Sequence, residues 1–250
     1  MKRLRLVLAS SVVAVLALGA ATALADPAQG PPICNGPETA IAGNYGNLVI
    51  VGNRYVPAGQ TLNVHGSLTI FRGSCLDAFT LGTVHVSGNV SVGWSGILAL
   101  GCTPYSVETP EPCYGQTTHD TVGGSITAIG ALTMYLDGDW IGGDVVSIMG
   151  GPGVTLSPYV NFPIKDNVIG GNVMITAWRG AWWGFIRNTT YGSVTLIGNA
   201  GADPDAAEVV TNVIGGNLTC LGNTPGAQIG DSGGSPNVVG GHKFGECSGL

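Results

Sequence analysis

The sequence predicts an all-β protein, a single-stranded parallel β-helix (β-solenoid) of about nine coils stapled by disulfides. Three observations carry that prediction: a Gly-centred segment recurs along the chain, its apolar residues alternate with a period of two, and an even set of cysteines follows an export leader.

The leader is MKRLRLVLASSVVAVLALGAATALA, in which Lys2, Arg3 and Arg5 precede an apolar run closed by Ala23-Leu24-Ala25. A basic start and a small-x-small end are what signal peptidase accepts, so residues 1 to 25 are read as a cleaved signal peptide and residues 26 to 250 as one β-helix domain with inserted loops. No second apolar stretch of spanning length follows, so no membrane span is expected in the mature form, and a secreted, extracellular or surface-associated location is expected.

With the leader's three cations removed, six Lys and Arg face 15 Asp and Glu, a mature net charge of −9. That balance argues against nucleic acid and anionic lipid as partners. Charged residues make up only 10% of the chain while Gly supplies 42 of 250 positions. A chain so poor in charge avoids association by closing its backbone hydrogen bonds within a regular β architecture.

The recurring segments read NYGNLVI, VHGSLTI, VSGNVSV, VGGSITA, IGGDVVS, IGGNVMI, TYGSVTL, IGGNLTC and VGGHKFG, anchored on Gly46, Gly66, Gly88, Gly124, Gly143, Gly171, Gly192, Gly216 and Gly241. Their spacing runs from 19 to 36 residues, the mark of a solenoid with variable insertions. Val64, Val86, Val122, Ile141, Ile169, Ile214 and Val239 stand two before the anchor; Leu48, Leu68, Val90, Ile126, Val145, Val173, Val194 and Leu218 stand two after it. Period-two alternation puts both sets on one face, and stacking turns them into interior columns. The anchor glycines belong where a coil bends or backbones approach closely. Further strands are expected in VPAGQTLNV and SVGWSGILALG, and a single helical turn in DPDAAEVV at 203 to 210.

Six cysteines in an exported chain favour disulfides over metal. Fifteen pairings are formally possible; the expected one joins sequence neighbours, Cys34 with Cys75, Cys102 with Cys113 and Cys220 with Cys247.

Several stretches invite a functional reading. Gly230-Asp231-Ser232-Gly233-Gly234 is similar to the nucleophile segment of chymotrypsin-like proteases, but the VVGG that follows opens the ninth repeat, so this stretch reads as an inter-coil loop. His65, His85 and His119 also lack the setting of a catalytic base in that family. The doubled glycines lack the flanking pattern of a nucleotide loop. Asp137, Asp139 and Asp144 form the densest acidic group; paired carboxylates are what glycoside cleavage requires, with Lys165 and Arg179 the nearest cations a lyase would use. No cofactor is otherwise implied, and calcium is the ion that group would suit. Trp178, Trp182 and Trp183 in WRGAWWGF are placed in a connection between the sixth and seventh coils, as a packing cluster or as a face for sugar rings, with Trp140 and Tyr191 at outward strand positions. The outward column Val49, Thr69, Ser91, Thr127, Val146, Met174, Thr195 and Thr219 reflects ordinary strand preference.

From Val213 onward, VIGGNLTCLGNTPGAQIGDSGGSPNVVGGHKFGEC resembles the ending of a group of secreted Gly-rich proteins of actinobacteria and related Gram-positive bacteria, in which GNLxC is followed by an Asn-Thr-Pro loop and a final G-x-C. The resemblance implies secretion and a β-helix, carries no assigned activity, and supports the Cys220–Cys247 pair. Repeats over nearly the whole mature chain, with no convergent catalytic set, point to a non-catalytic structural or adhesive protein of the cell surface or matrix, with cell-wall or extracellular glycan, or a second copy, as partner. A polysaccharide lyase or hydrolase acting through the Asp137 region is the alternative.

Overall fold

The computed structural model describes residues 33–103, 116–154 and 160–250. The chain winds as a parallel β-solenoid of about eight turns whose wall has three sheets, of 8, 9 and 10 strands. Each coil visits sheet A, then B, then C: in one circuit these are Cys75–Asp77, Thr83–Val86 and Val90–Val92, before Ile97–Gly101 returns to sheet A. All pairings between these strands are parallel.

The Gly-centred segment is thus a corner rather than one strand. Val64 closes a sheet B strand, Gly66 lies in the bend, and Leu68 opens a sheet C strand. Each bend stacks on the one before so closely that side chains are excluded: a Cβ on the anchor Gly88 would lie 2.7 Å from the Gly66 carbonyl oxygen, and one on Gly192 2.5 Å from that of Gly171. This is why glycine recurs at the anchor.

The inward columns fall as expected. Val64, Val86, Val122, Ile141, Ile169 and Ile214 are buried in one row and Leu68, Val90, Ile126, Val145, Val173, Val194 and Leu218 in another, all in a single core. Leu48 and Val239, in the first and last coils, are only partly buried because a neighbour covers one side alone. Each fully buried aliphatic side chain contributes about 1.5–3 kcal/mol relative to exposure.

The Cys34–Cys75 and Cys220–Cys247 disulfides are present. Cys102 is disulfide-bonded; its expected partner Cys113 lies outside the described residues, as does the leader. Among the described residues no helix is long and apolar enough to cross a membrane. DPDAAEVV forms a turn followed by the strand Glu208–Val210 rather than a helical turn, because Val209 packs into the core and Val210 into the cluster outside sheet A, both stacked on the preceding coil. The short 3-10 helix Glu246–Gly249 was not signalled by any sequence pattern.

Sheet A departs most from simple alternation. Ile97–Gly101, Asn161–Lys165 and Trp182–Ile186 are buried on both faces, since loops cover the outside of this sheet. Phe79, Ala99 and Cys102 form one cluster there, and Trp182, Ile186, Ala206 and Val210 another.

Candidate functional site

The acidic group lies at the A-to-B corner, and its surroundings explain it as structure. Six residues stand at the same place in successive coils: Asp120, Asp139, Asn167, Asn188, Asn212 and Asn237, all buried. Each offers a side-chain oxygen to the backbone N–H of the rung before it. Asp139 Oδ1 accepts from Asp120 N–H at 3.0 Å, Asn167 Oδ1 from Asp139 N–H at 2.9 Å, and Asn188 Oδ1 from Asn167 N–H at 3.0 Å. The run continues to Asn212 and Asn237 at 2.8 and 3.0 Å. Asparagine does a second job: Asn167 Nδ2 donates to the Leu136 carbonyl and to Asn188 Oδ1, and Asn188 Nδ2 to the Ile164 carbonyl and to Asn212 Oδ1. The corner interrupts the sheet, and these amides satisfy backbone groups the bend would otherwise leave unpaired.

Two rungs are acidic, and their roles differ. Asp120 is served by two donors, Val84 N–H at 2.7 Å and Gly101 N–H at 2.9 Å. Asp139 Oδ2 has no hydrogen-bond partner, although it takes the place of the Nδ2 that donates in every asparagine rung. Burial and the neighbouring Asp120 charge raise the Asp139 pKa well above the ordinary range, which favours the protonated carboxyl at this rung. Burial likewise lifts Asp120 to about 7 and Asp137 to about 6, the latter against a 2.6 Å hydrogen bond donated by the Thr103 hydroxyl.

Asp144 belongs to a different corner. It lies between sheets B and C, where Asn47, Ser67, Asn89, Ser125, Asp144, Asn172, Ser193, Asn217 and His242 form a more exposed column, and its Oδ1 accepts from Asn172 N–H at 2.6 Å. Asp144 is therefore parted from Asp137 and Asp139, which lie near enough to feel each other's charge, so the three do not gather at one site. Among the described residues, the acidic trio whose oxygens approach within 4.8 Å of one another is Asp205, Glu208 and Asp231, where Asp231 N–H also donates to Asp205 Oδ2 at 2.8 Å.

The tryptophans of WRGAWWGF are strand residues, not a connection. Trp178 lies in the strand Val173–Gly180, and Trp182 and Trp183 in Trp182–Ile186. Their relative exposures are 0%, 3% and 1%, so no ring face is open to a sugar, and of the two roles left open by the sequence the burial fits packing and not ligand binding. Trp178 and Trp183 belong to the main core, while Trp182 sits outside sheet A with the Lys165 ammonium 5.2 Å from its ring centroid.

Ser232 lies in the inter-coil stretch before the strand Val238–Val239, flanked by Gly230, Gly233 and Gly234 at positive φ. His65, His85 and His119 belong to coils far from it: from the sheet B strand holding His85, four further strands intervene before Val213–Ile214, at about 4.8 Å each. Instead His85 Nδ1 meets Thr121 Oγ1 at 2.8 Å and His119 Nδ1 meets the Gly138 carbonyl.

The outsides of sheets B and C are open: Trp140 and Tyr191 are exposed on the sheet B side, and the apolar columns lie on sheet C. Val49, Thr69, Ser91, Thr127, Val146, Met174, Thr195 and Thr219 align in register as one outward column. The column two residues later carries Val51, Phe71, Ile129, Ile197 and Leu221, all exposed. Neither column contains a charged residue. Beside the second column, in the bend leading to sheet A, lies Trp94, which is 57% exposed. Its indole rests on Gly130 of the next coil: a Cβ there would lie 2.2 Å from Trp94 Cε3. Gly130 thus gives the ring a flat bed and leaves the opposite face to solvent. Two grooves meet at Trp94, one of about 450 Å³ bordered by Phe71, Arg72 and Ile129, the other of about 350 Å³ bordered by Met149 and Arg179. An aromatic face beside hydroxyls and apolar rims suits a flat, amphipathic ligand such as a sugar ring. The sequence reading missed this site, whose one signal was an aromatic residue within a Gly-rich bend.

The chain matches no protein-family model, no curated protein and no solved structure.

Proposed function

We propose that this chain is an exported, non-catalytic β-solenoid that adheres to extracellular polysaccharide through the outer face of sheet C. The observation that carries the reading is Trp94, laid flat on Gly130 with its free face turned outward at the meeting point of two grooves. The leader, the disulfides and the resemblance of residues 213 to 247 to secreted Gly-rich proteins support a place on the cell surface or in the matrix. The adhesive reading is favoured over an enzyme because the acidic residues an enzyme would use are occupied apart from one another: Asp139 is a rung of a buried hydrogen-bond column, Asp137 is buried against the Thr103 hydroxyl, and Asp144 lies at a different corner.

The test is co-sedimentation with insoluble cell-wall polysaccharide, with release of reducing ends or unsaturated products measured in the same samples. Binding without turnover, weakened in Trp94→Ala, is the expected result. Turnover that disappears in Asp137→Asn would replace this reading with the lyase or hydrolase alternative.

A further inference from the structure

Charge around Trp94 runs against the charge of the molecule. Beyond the leader the chain has six cations against 15 acids. Four of the six are engaged or screened elsewhere. Lys165 is buried beneath Trp182, Arg187 holds Asp166 through two contacts of 2.7 Å, Lys243 donates to the Leu250 carbonyl, and Arg54 is half-buried in sheet A. The other two, Arg72 and Arg179, are both exposed, and each borders one of the two grooves that share Trp94. Among the described residues, no acidic residue borders either groove.

We propose that these grooves form one binding track for a carboxylated sugar chain, a uronate-type polysaccharide, with one ring stacked on Trp94 and carboxylates held by Arg72 and Arg179. The proposal rests on the adhesive reading above and names its ligand class. The geometry requires a chain rather than a single sugar: Arg72 lies four coils from Arg179, a rise of about 19 Å at strand spacing. Thr69, Ser91 and Thr127 stand side by side in register on the floor of the first groove and offer hydroxyls to ring oxygens. A guanidinium presents paired N–H donors that fit a carboxylate, and its attraction adds to stacking without demanding deep burial. In an otherwise acidic molecule, two cations on one track, with no acidic residue lining it among the described residues, select for negative charge on the ligand.

The test is calorimetric titration of the full chain with four probes: an oligogalacturonate, the same oligomer methyl-esterified, free galacturonic acid, and poly-L-glutamate. The oligogalacturonate is expected to bind at least about tenfold more tightly than its ester or the monomer, and to weaken with added salt. Trp94→Ala should lower its affinity about tenfold or more, Arg72→Gln and Arg179→Gln several-fold each, while Trp94→Phe restores most of it and Arg54→Gln changes nothing. Equal binding of acid and ester, or wild-type affinity in both arginine variants, overturns the charge selection and leaves the adhesive reading standing. Poly-L-glutamate binding as tightly as the oligosaccharide overturns the sugar assignment. Failure of every saccharide, together with failure to sediment with cell-wall polysaccharide, overturns both.

Discussion

Asp139 Oδ1 lies 3.0 Å from the Asp120 backbone nitrogen one coil earlier and accepts its proton, so two acidic side chains stand as consecutive rungs in a column otherwise built of asparagine. Asparagine brings its own second donor to that column. Asp139 must carry a proton to do the same.

Replacing that carboxyl with the amide used above it should therefore stabilise the fold. Asp139→Asn is expected to raise stability at pH 8 by about 1–3 kcal/mol, the cost of a buried polar atom left unsatisfied. A urea unfolding curve measures it, and a lowered midpoint with unchanged slope would refute the rung assignment.

Stability of the whole protein should fall as pH rises. Burial raises Asp77 and Asp137 to about 6 and Asp120 to about 7, and moves Asp139 in the same direction. A carboxyl whose folded pKa exceeds its unfolded value binds more protons folded than unfolded, so its contribution is complete below about pH 4 and is lost as pH climbs through 6 to 7. Tm should be higher at pH 4.5 than at pH 7.5, and Asp139→Asn should narrow the gap. A flat or rising Tm over that interval contradicts the assignment.

The two polar columns should differ sharply in worth. Asn188→Ala removes the acceptor of Asn167 N–H and the donor to the Ile164 carbonyl, both in the buried interior, and is expected to cost about 3–5 kcal/mol. Asn172→Ala, on the exposed column where Ser193 N–H loses its partner to water instead, should cost less than about 1 kcal/mol. Comparable losses in the two variants would mean that burial does not set the value of a rung.

Gly130 can be tested without touching the indole it supports. A side chain there meets Trp94 and also occupies a backbone at φ +65°, so Gly130→Ala should lift the ring from its bed and cost about 1–2 kcal/mol. The emission of Trp94, isolated by comparison with Trp94→Phe, is expected to shift. An unchanged spectrum would show that the ring does not rest where the structure has it.

Much of this architecture was legible in the residues. The inward columns and anchor glycines followed from alternation alone, because sheets B and C each keep one face in the core. Sheet A was harder: Trp182 and Ile186 are covered by Ala206 from a later loop, so its strands lose the alternation that marks a half-buried strand. The buried column was present as a pattern, with Asp120, Asp139, Asn167, Asn188, Asn212 and Asn237 each four residues before the anchor glycine. It escaped notice because a polar residue beside glycines reads as an ordinary turn former, and only stacking reveals that it is inside. Trp94 depended on register as well: what exposes it is a missing side chain at Gly130, an insertion-bearing coil away.

The column of buried amides also bears on how such a protein changes length. Because Asn167 and Asn188 present the same groups to their neighbours, the segment from 167 to 187 is interchangeable at its two seams, and a tandem copy would slot in with every amide of this column still matched. Growth or shrinkage by whole circuits thus keeps this column matched, although the buried Asn199 that serves the Trp178 N–H at the next corner is not copied with it, whereas a partial insertion must be expelled as a surface loop.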